Sequence, residues 1–174
     1  MDIYQIWITY NKQWSQREIL AFVGVLILVC VIVLVSMYRE KINIVQAVGV
    51  FVLVIFWGIV FGSTVFTRTE TIRQYELIPF WSWKVIIWYH NWKLLKENLL
   101  NCILLLPVGL LFPIIINHKI KWYQALLGGV LISAVIEFSQ LIFMRGLFEW
   151  DDMIHNGLGC MIGCLGSNIF VKDQ

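Results

Sequence analysis

Charge is scarce in this chain. Only 14% of its 174 residues are Asp, Glu, Lys or Arg, and the formal net charge is +2. That balance is too small to indicate a nucleic-acid partner, and no basic cluster with interleaved aromatics is present. Cys30, Cys102, Cys160 and Cys164 all lie within apolar runs, where a small, weakly polar side chain packs easily, so no disulfide framework is expected. Cys160 and Cys164 stand one helical turn apart without further thiol or imidazole partners at zinc spacing, which favours helix packing over a metal site. There is no Walker loop, zinc-protease helix or Gly-x-Ser-x-Gly elbow, and no repeat or low-complexity tract. The first 18 residues are mixed and polar and the first apolar run is too long for an h-region, so no removable signal peptide is expected.

Apolar sequence fills the space that charge leaves. Hydrophobic residues make up 60% of the chain, against roughly 45 to 50% in a soluble domain. They come in separate runs of about 20, the length a helix needs to cross a hydrocarbon core of about 30 Å. The fold class that follows is all-α: a polytopic membrane helix bundle forming one domain, with about five transmembrane helices and an interfacial aromatic helix. The spans are expected at Ile19 to about Tyr38, Ile42 to about Phe66, Glu97 to about Ile116, Trp122 to about Met144, and Met153 to about Val171. Pro107 and Pro113 should bend or end the third. Gly58 and Gly62 form a Gly-x-x-x-Gly pair offering a narrow face to another helix, and Gly159 and Gly163 stand one turn apart in the last span.

Two segments lie at the membrane surface. Tyr4, Trp7, Tyr10 and Trp14 recur at helical spacing within residues 1–18 and suit a surface helix. Between the second and third spans, Arg68, Glu70, Arg73, Glu76 and Pro79 mark an exposed loop, followed by an aromatic-rich stretch from Trp81 to Trp92 that suits a helix lying at headgroup level.

With five spans, Arg39, Lys41, Lys119, Lys121 and Lys172 share one side in very short connections and a tail, while eight of the 13 positive residues are spread over the other. Density near span ends governs the positive-inside bias, so the N-terminus is expected outside and the C-terminus inside. The site is expected on the outer side. Glu137 lies about seven residues before the end of its span, roughly 10 Å below that helix end, and an intramembrane carboxylate is by default a functional-site candidate. Ser133 and Gln140 flank it on one helix face, Asn98, Asn101 and Asn156 enter from neighbouring spans, and Arg145, Asp151, Asp152 and Arg68 or Arg73 stand where the site would close. The functional reading is a small polar cavity with arginine for an anionic group and a carboxylate to exchange a proton. The structural alternative pairs Glu137 with Arg145 or an asparagine as a helix lock, and makes Asp151 and Asp152 an N-cap and dipole complement of the last helix. Glu149, Asp151, Asp152 and His155 match no specific metal spacing, so neither metal nor cofactor is expected.

From about Phe66 to Gly166 the sequence resembles the VanZ-like family, whose namesake is a bacterial teicoplanin-resistance membrane protein. The resemblance is carried by Arg68, Leu77-Ile78-Pro79-Phe80, Glu97-Asn98-Leu99-Leu100-Asn101, Leu106-Pro107-Val108-Gly109 and Ile136-Glu137-Phe138-Ser139-Gln140, then by Arg145, Asp151-Asp152-Met153-Ile154-His155-Asn156, Gly159 and Gly163. Residues 1–65 then form an N-terminal extension with an extra span. The resemblance implies a protein of the bacterial cytoplasmic membrane that contributes to glycopeptide resistance. It also implies membrane lipid, a lipid-linked envelope component or the antibiotic as partners. Whether it is an enzyme stays open: a binding protein and an intramembrane enzyme with Glu137 as acid or base both fit these residues.

Overall fold

A computed structural model describes residues 14–68 and 72–171. The expected surface helix within residues 1–18 therefore lies mostly outside the described residues. Among the described residues the architecture is an all-α bundle of six helices: α1 (Gln16–Tyr38), α2 (Ile44–Phe61), α3 (Trp81–Tyr89), α4 (Trp92–Ile116), α5 (Trp122–Phe143) and α6 (Trp150–Ser167).

Local chemistry starts the first two helices. Ser15 accepts the Glu18 N–H at 3.3 Å while the Glu18 carboxylate accepts the Ser15 N–H at 2.7 Å. Asn43 and Gln46 repeat this capping box at the start of α2. The Gln46 amide also donates to the Ile115 carbonyl at 2.7 Å, which ties the start of α2 to the end of α4. In α1 only Val33 is buried, and most of its other Leu, Ile and Val side chains are exposed, as suits a helix bordered by acyl chains.

Among the described residues four helices are long and apolar enough to cross a membrane: α1, α2 with its extension to Phe66, α4 and α5. The expected fifth span, Met153 to about Val171, is a helix, α6, but not one of those four; it begins at Trp150 and ends at Ser167, followed by a short 3-10 turn, Asn168–Phe170. It carries Asp151, Asp152, His155 and Asn156 and is not apolar enough to stand in lipid. Instead it packs between α4 and α5, with ten buried residues, so its polar groups meet protein. At about 1.5 Å per residue it is roughly 27 Å long.

Glycine makes that packing possible. A Cβ on Gly159 would run into the Cys102 carbonyl, and one on Gly163 into the Leu106 carbonyl, so the α4 and α6 backbones touch directly. Gly58 offers the expected narrow face to another helix, seating the Phe22 ring of α1, and Gly62 seats the ring of Trp14, which precedes α1; both receive side chains and not backbone. A core of Val60, Val65, Leu105, Val108, Ile136 and Cys160 fills the centre.

Three further boundaries differ from expectation. First, neither Pro107 nor Pro113 ends α4, which continues to Ile116, where the span was expected to stop, and to the left-handed cap at Asn117, because close neighbours hold a proline-containing helix in a membrane bundle. Second, α3 stops at Tyr89, where His90 is left-handed with φ 52°. Asn91 then accepts the Leu94 N–H at 3.2 Å, so Trp92 opens α4 rather than closing the aromatic helix. Third, the loop holds a strand: β1 (Gln74–Glu76) pairs in parallel with β2 (Leu147–Glu149), with Tyr75 opposite Phe148. That pairing joins segments far apart in sequence and leaves no local signal.

Candidate functional site

The strand pair, α3, the start of α4 and the start of α6 meet at one end of the bundle. Asp151 and Asp152 occupy the first turn of α6, where negative charge complements the helix dipole. Neither is the N-cap, which is Glu149 and makes no side-chain capping bond. Asp151 is buried and caps α3 instead: its carboxylate accepts the N–H groups of Phe80 and Ser82 and the Ser82 hydroxyl. The Ser82 oxygen in turn accepts the Asn98 amide at 3.0 Å. Asp152, about 100° further round the helix, accepts the Asn101 amide instead.

Ser82, Asn98, Asn101, Asp151 and Asp152 line a polar cavity of about 380 Å³, together with Arg68, Glu97, Glu149, Leu94, Leu100 and Leu147. Four carboxylates and one guanidinium face it. Burial pushes the Glu149 carboxyl up to about 7; neighbouring Asp152 raises it further, and the Trp81 indole beside it pulls the other way. Glu149 therefore exchanges a proton near neutral pH.

The remaining expected site residues form a second polar layer that braces the cavity and does not line it. Glu137 is buried and accepts the Glu149 N–H at 3.2 Å, which fixes β2 against α5. Asn156 donates to Ser133 at 2.7 Å, joining α6 to α5. The Gln140 amide reaches the Thr64 carbonyl at 3.2 Å. Arg145, expected to receive an anion, donates to the carbonyls of Val65 and Phe66 at 3.3 and 2.9 Å. Those carbonyls belong to the π-helical turn, Gly62–Phe66, that ends α2, where the wider winding leaves acceptors open. Arg68 is thus the arginine at the cavity. A Cβ on Gly146 would lie 2.8 Å from Gln140 Oε1 and 2.9 Å from Arg68 Nη1, so the bare glycine leaves both side chains their positions.

Among the described residues no group of three or more His, Cys, Asp or Glu is arranged to hold a metal ion. His155 points to α3, where its Nε2 accepts the Trp83 indole N–H at 2.8 Å. Sequence reasoning missed Ser82, a buried hydroxyl between two tryptophans; a small polar residue interrupting an aromatic stretch was the available signal.

The family comparison bears on this same region. The VanZ/LLP1 family matches residues 44–171, from the start of α2 to just past the turn after α6, a longer stretch than the residues 66–166 expected from the motifs. No curated protein and no solved structure matches the chain. The match covers more than half of the chain and contains every residue of the cavity and of the layer that braces it. This multi-pass chain therefore belongs to the VanZ/LLP1 family.

Proposed function

We propose that the protein holds the head of an amphiphile or lipid-linked envelope component in the polar cavity at the outer leaflet of a bacterial cytoplasmic membrane, and thereby limits the action of teicoplanin. The observation that carries this reading is the mixed charge of the cavity at the end of the bundle where α3 exposes Trp88 and Tyr89, rings suited to the headgroup layer. A volume of about 380 Å³ suits a headgroup and admits only part of a glycopeptide. The envelope component is therefore the better occupant. The basic turns at Arg39, Lys41, Lys119 and Lys121 support an N-terminus outside and a C-terminus inside.

The test is expression in a susceptible bacterium, with inhibitory concentrations read for teicoplanin. Wild type raises the concentration, and Arg68→Gln and Asp152→Asn lose the rise while remaining in the membrane fraction. No rise with wild type sinks the reading.

The Glu149 carboxyl supports a second reading, an intramembrane enzyme on a lipid-linked substrate. In that case Glu149, at about 7 and on the cavity wall, is the acid or base, and Glu137 positions it through its backbone. Turnover of a lipid-linked precursor by wild type, abolished in Glu149→Gln, separates this reading from simple binding.

A further inference from the structure

The polar cavity carries an excess of negative charge that any headgroup entering it has to meet. Glu97, Glu149, Asp151 and Asp152 line it with Arg68, and Lys93, 3.8 Å from Glu97, adds one more positive charge beside it. Four carboxylates against two cations repel a purely anionic head, while Arg68 still gives an anion one place to land. From these observations we propose that the cavity takes a zwitterionic head, with a phosphate against Arg68 and a primary ammonium beside Glu149, as in phosphoethanolamine. This rests on the reading of the cavity as a headgroup site and names the class of head.

The two signs are laid out along β2. A Cβ on Gly146 would lie 2.9 Å from Arg68 Nη1, which puts the guanidinium beside the residue that precedes the strand. Glu149 closes the strand three residues later, roughly 10 Å on at about 3.3 Å per residue. A phosphate joined to an ammonium by two carbons, with a hydrogen bond at each end, spans a separation of that order. Burial raises the Glu149 carboxyl, and Asp152, Asp151 and Glu97 raise it further, an acidic neighbourhood that a cation relieves. Arg68 acts on Asp152 instead, whose carboxyl burial raises to about 6 while the guanidinium pulls it back.

Hydrogen-bonding capacity decides which ammonium and which anion fit. The Asp151 oxygens already accept from Phe80 and Ser82, so Asp151 supplies field more than contact. Glu149 meets the Trp81 indole, and a carboxylate with about four lone-pair sites has room for an ammonium as well. A primary ammonium brings three N–H donors to such acceptors. A quaternary one brings none and is recognised by aromatic faces, and among the described residues no aromatic side chain lines the cavity. Choline heads are therefore disfavoured. Arg68 is exposed, and its five N–H donors can fork onto a phosphate beside Asp152. Trp88 and Tyr89 are exposed on α3 at this end of the bundle, which favours a lipid as the source of the head.

The test uses the full chain purified into nanodiscs of equal phosphatidylethanolamine, phosphatidylcholine and phosphatidylglycerol, with the lipid retained on release counted by native mass spectrometry. Wild type retains phosphatidylethanolamine over each of the others by roughly tenfold, the lower end for one charge-assisted hydrogen bond. Glu149→Gln falls to near parity with phosphatidylglycerol, whereas Glu149→Asp, which controls for folding, keeps the preference. Arg68→Gln lowers the phosphatidylethanolamine retained by a similar factor, and Lys41→Gln, in the turn between α1 and α2 at the opposite end, changes nothing. Parity in wild type, a preference for phosphatidylglycerol, or an unchanged ratio in Glu149→Gln overturns the proposal. Displacement of the lipid by soluble phosphoethanolamine supports the zwitterion and shows that the head suffices; resistance to it, with the preference intact, assigns the site to the lipid. Displacement by inorganic phosphate alone overturns the ammonium contact. Teicoplanin tolerance is read separately. Tolerance with lipid parity sinks this inference alone, and lipid preference without tolerance sinks the proposed function alone.

Discussion

The carboxylate of Asp151, in the first turn of α6, accepts the backbone N–H of Ser82 at 3.0 Å across 69 positions of sequence, and so caps a helix to which it does not belong. Through Ser82 and Asn98 the same carboxylate links α6, α3 and α4. The aromatic helix is therefore fixed to the bundle by a buried charge as well as by its rings.

Asp151→Ala leaves the N–H groups of Phe80 and Ser82 and the Ser82 hydroxyl without their acceptor, at a cost of roughly 1–3 kcal/mol. Thermal unfolding in detergent should fall accordingly, and hydrogen exchange should rise in α3 before the spanning helices. Asp151→Asn keeps an acceptor oxygen and should lose less. An alanine variant that melts like wild type, with α3 equally protected, contradicts the capping role.

Gly159→Ala pushes a methyl group into the Cys102 carbonyl, and neither backbone can yield cheaply. The loss should reach or exceed the roughly 1–3 kcal/mol of ordinary overpacking. Gly24 in α1 has nothing within 4 Å of its would-be Cβ, so Gly24→Ala should be neutral or slightly stabilising. Equal melting temperatures for the two variants would show that α4 and α6 are not in backbone contact.

Glu149 gives stability a pH dependence of defined sign. Its carboxyl lies at about 7 in the folded protein against a reference of 4.5. Below 4.5 it is protonated in both states and contributes no penalty. Between these values the unfolded chain releases the proton while the folded protein keeps it, so stability falls as pH rises through the window and levels off above about 7. Glu149→Gln should flatten that slope. An unchanged slope in the variant would assign the dependence elsewhere.

Arg145 and Arg68 should separate cleanly. Arg145→Gln removes a charged donor from the Val65 and Phe66 carbonyls and should cost roughly 1.5–3 kcal/mol. Arg68 is exposed, so Arg68→Gln should change stability by no more than about 0.5 kcal/mol while reducing teicoplanin tolerance. The reverse ordering in thermal melts would exchange their roles.

The helix ends at Tyr38, Ile116 and Phe143 fall within a residue of where the apolar runs stop, because hydropathy reports directly on what lipid accepts. Other features were not legible in the same way. The break at His90 depends on a left-handed residue without glycine, and β1 becomes a strand only because β2 lies beside it. Within the site, Asp151 and Asp152 look equivalent in sequence, yet one step along the helix sends the first to α3 and the second to Asn101 of α4. Arg145 looked like the anion receptor until the π-helical turn placed two open carbonyls within its reach.

Amino-acid order alone determined that this is a helical membrane bundle, since burial in lipid sorts residues by polarity and that sorting is written along the chain; the likeness to the VanZ family rests instead on the order of its polar motifs. Only the folded arrangement decided which polar groups face the cavity and which hold it together. Hydrogen bonds and charge pairs depend on direction and distance across helices, and those are set by how the glycine faces let α6 settle between α4 and α5.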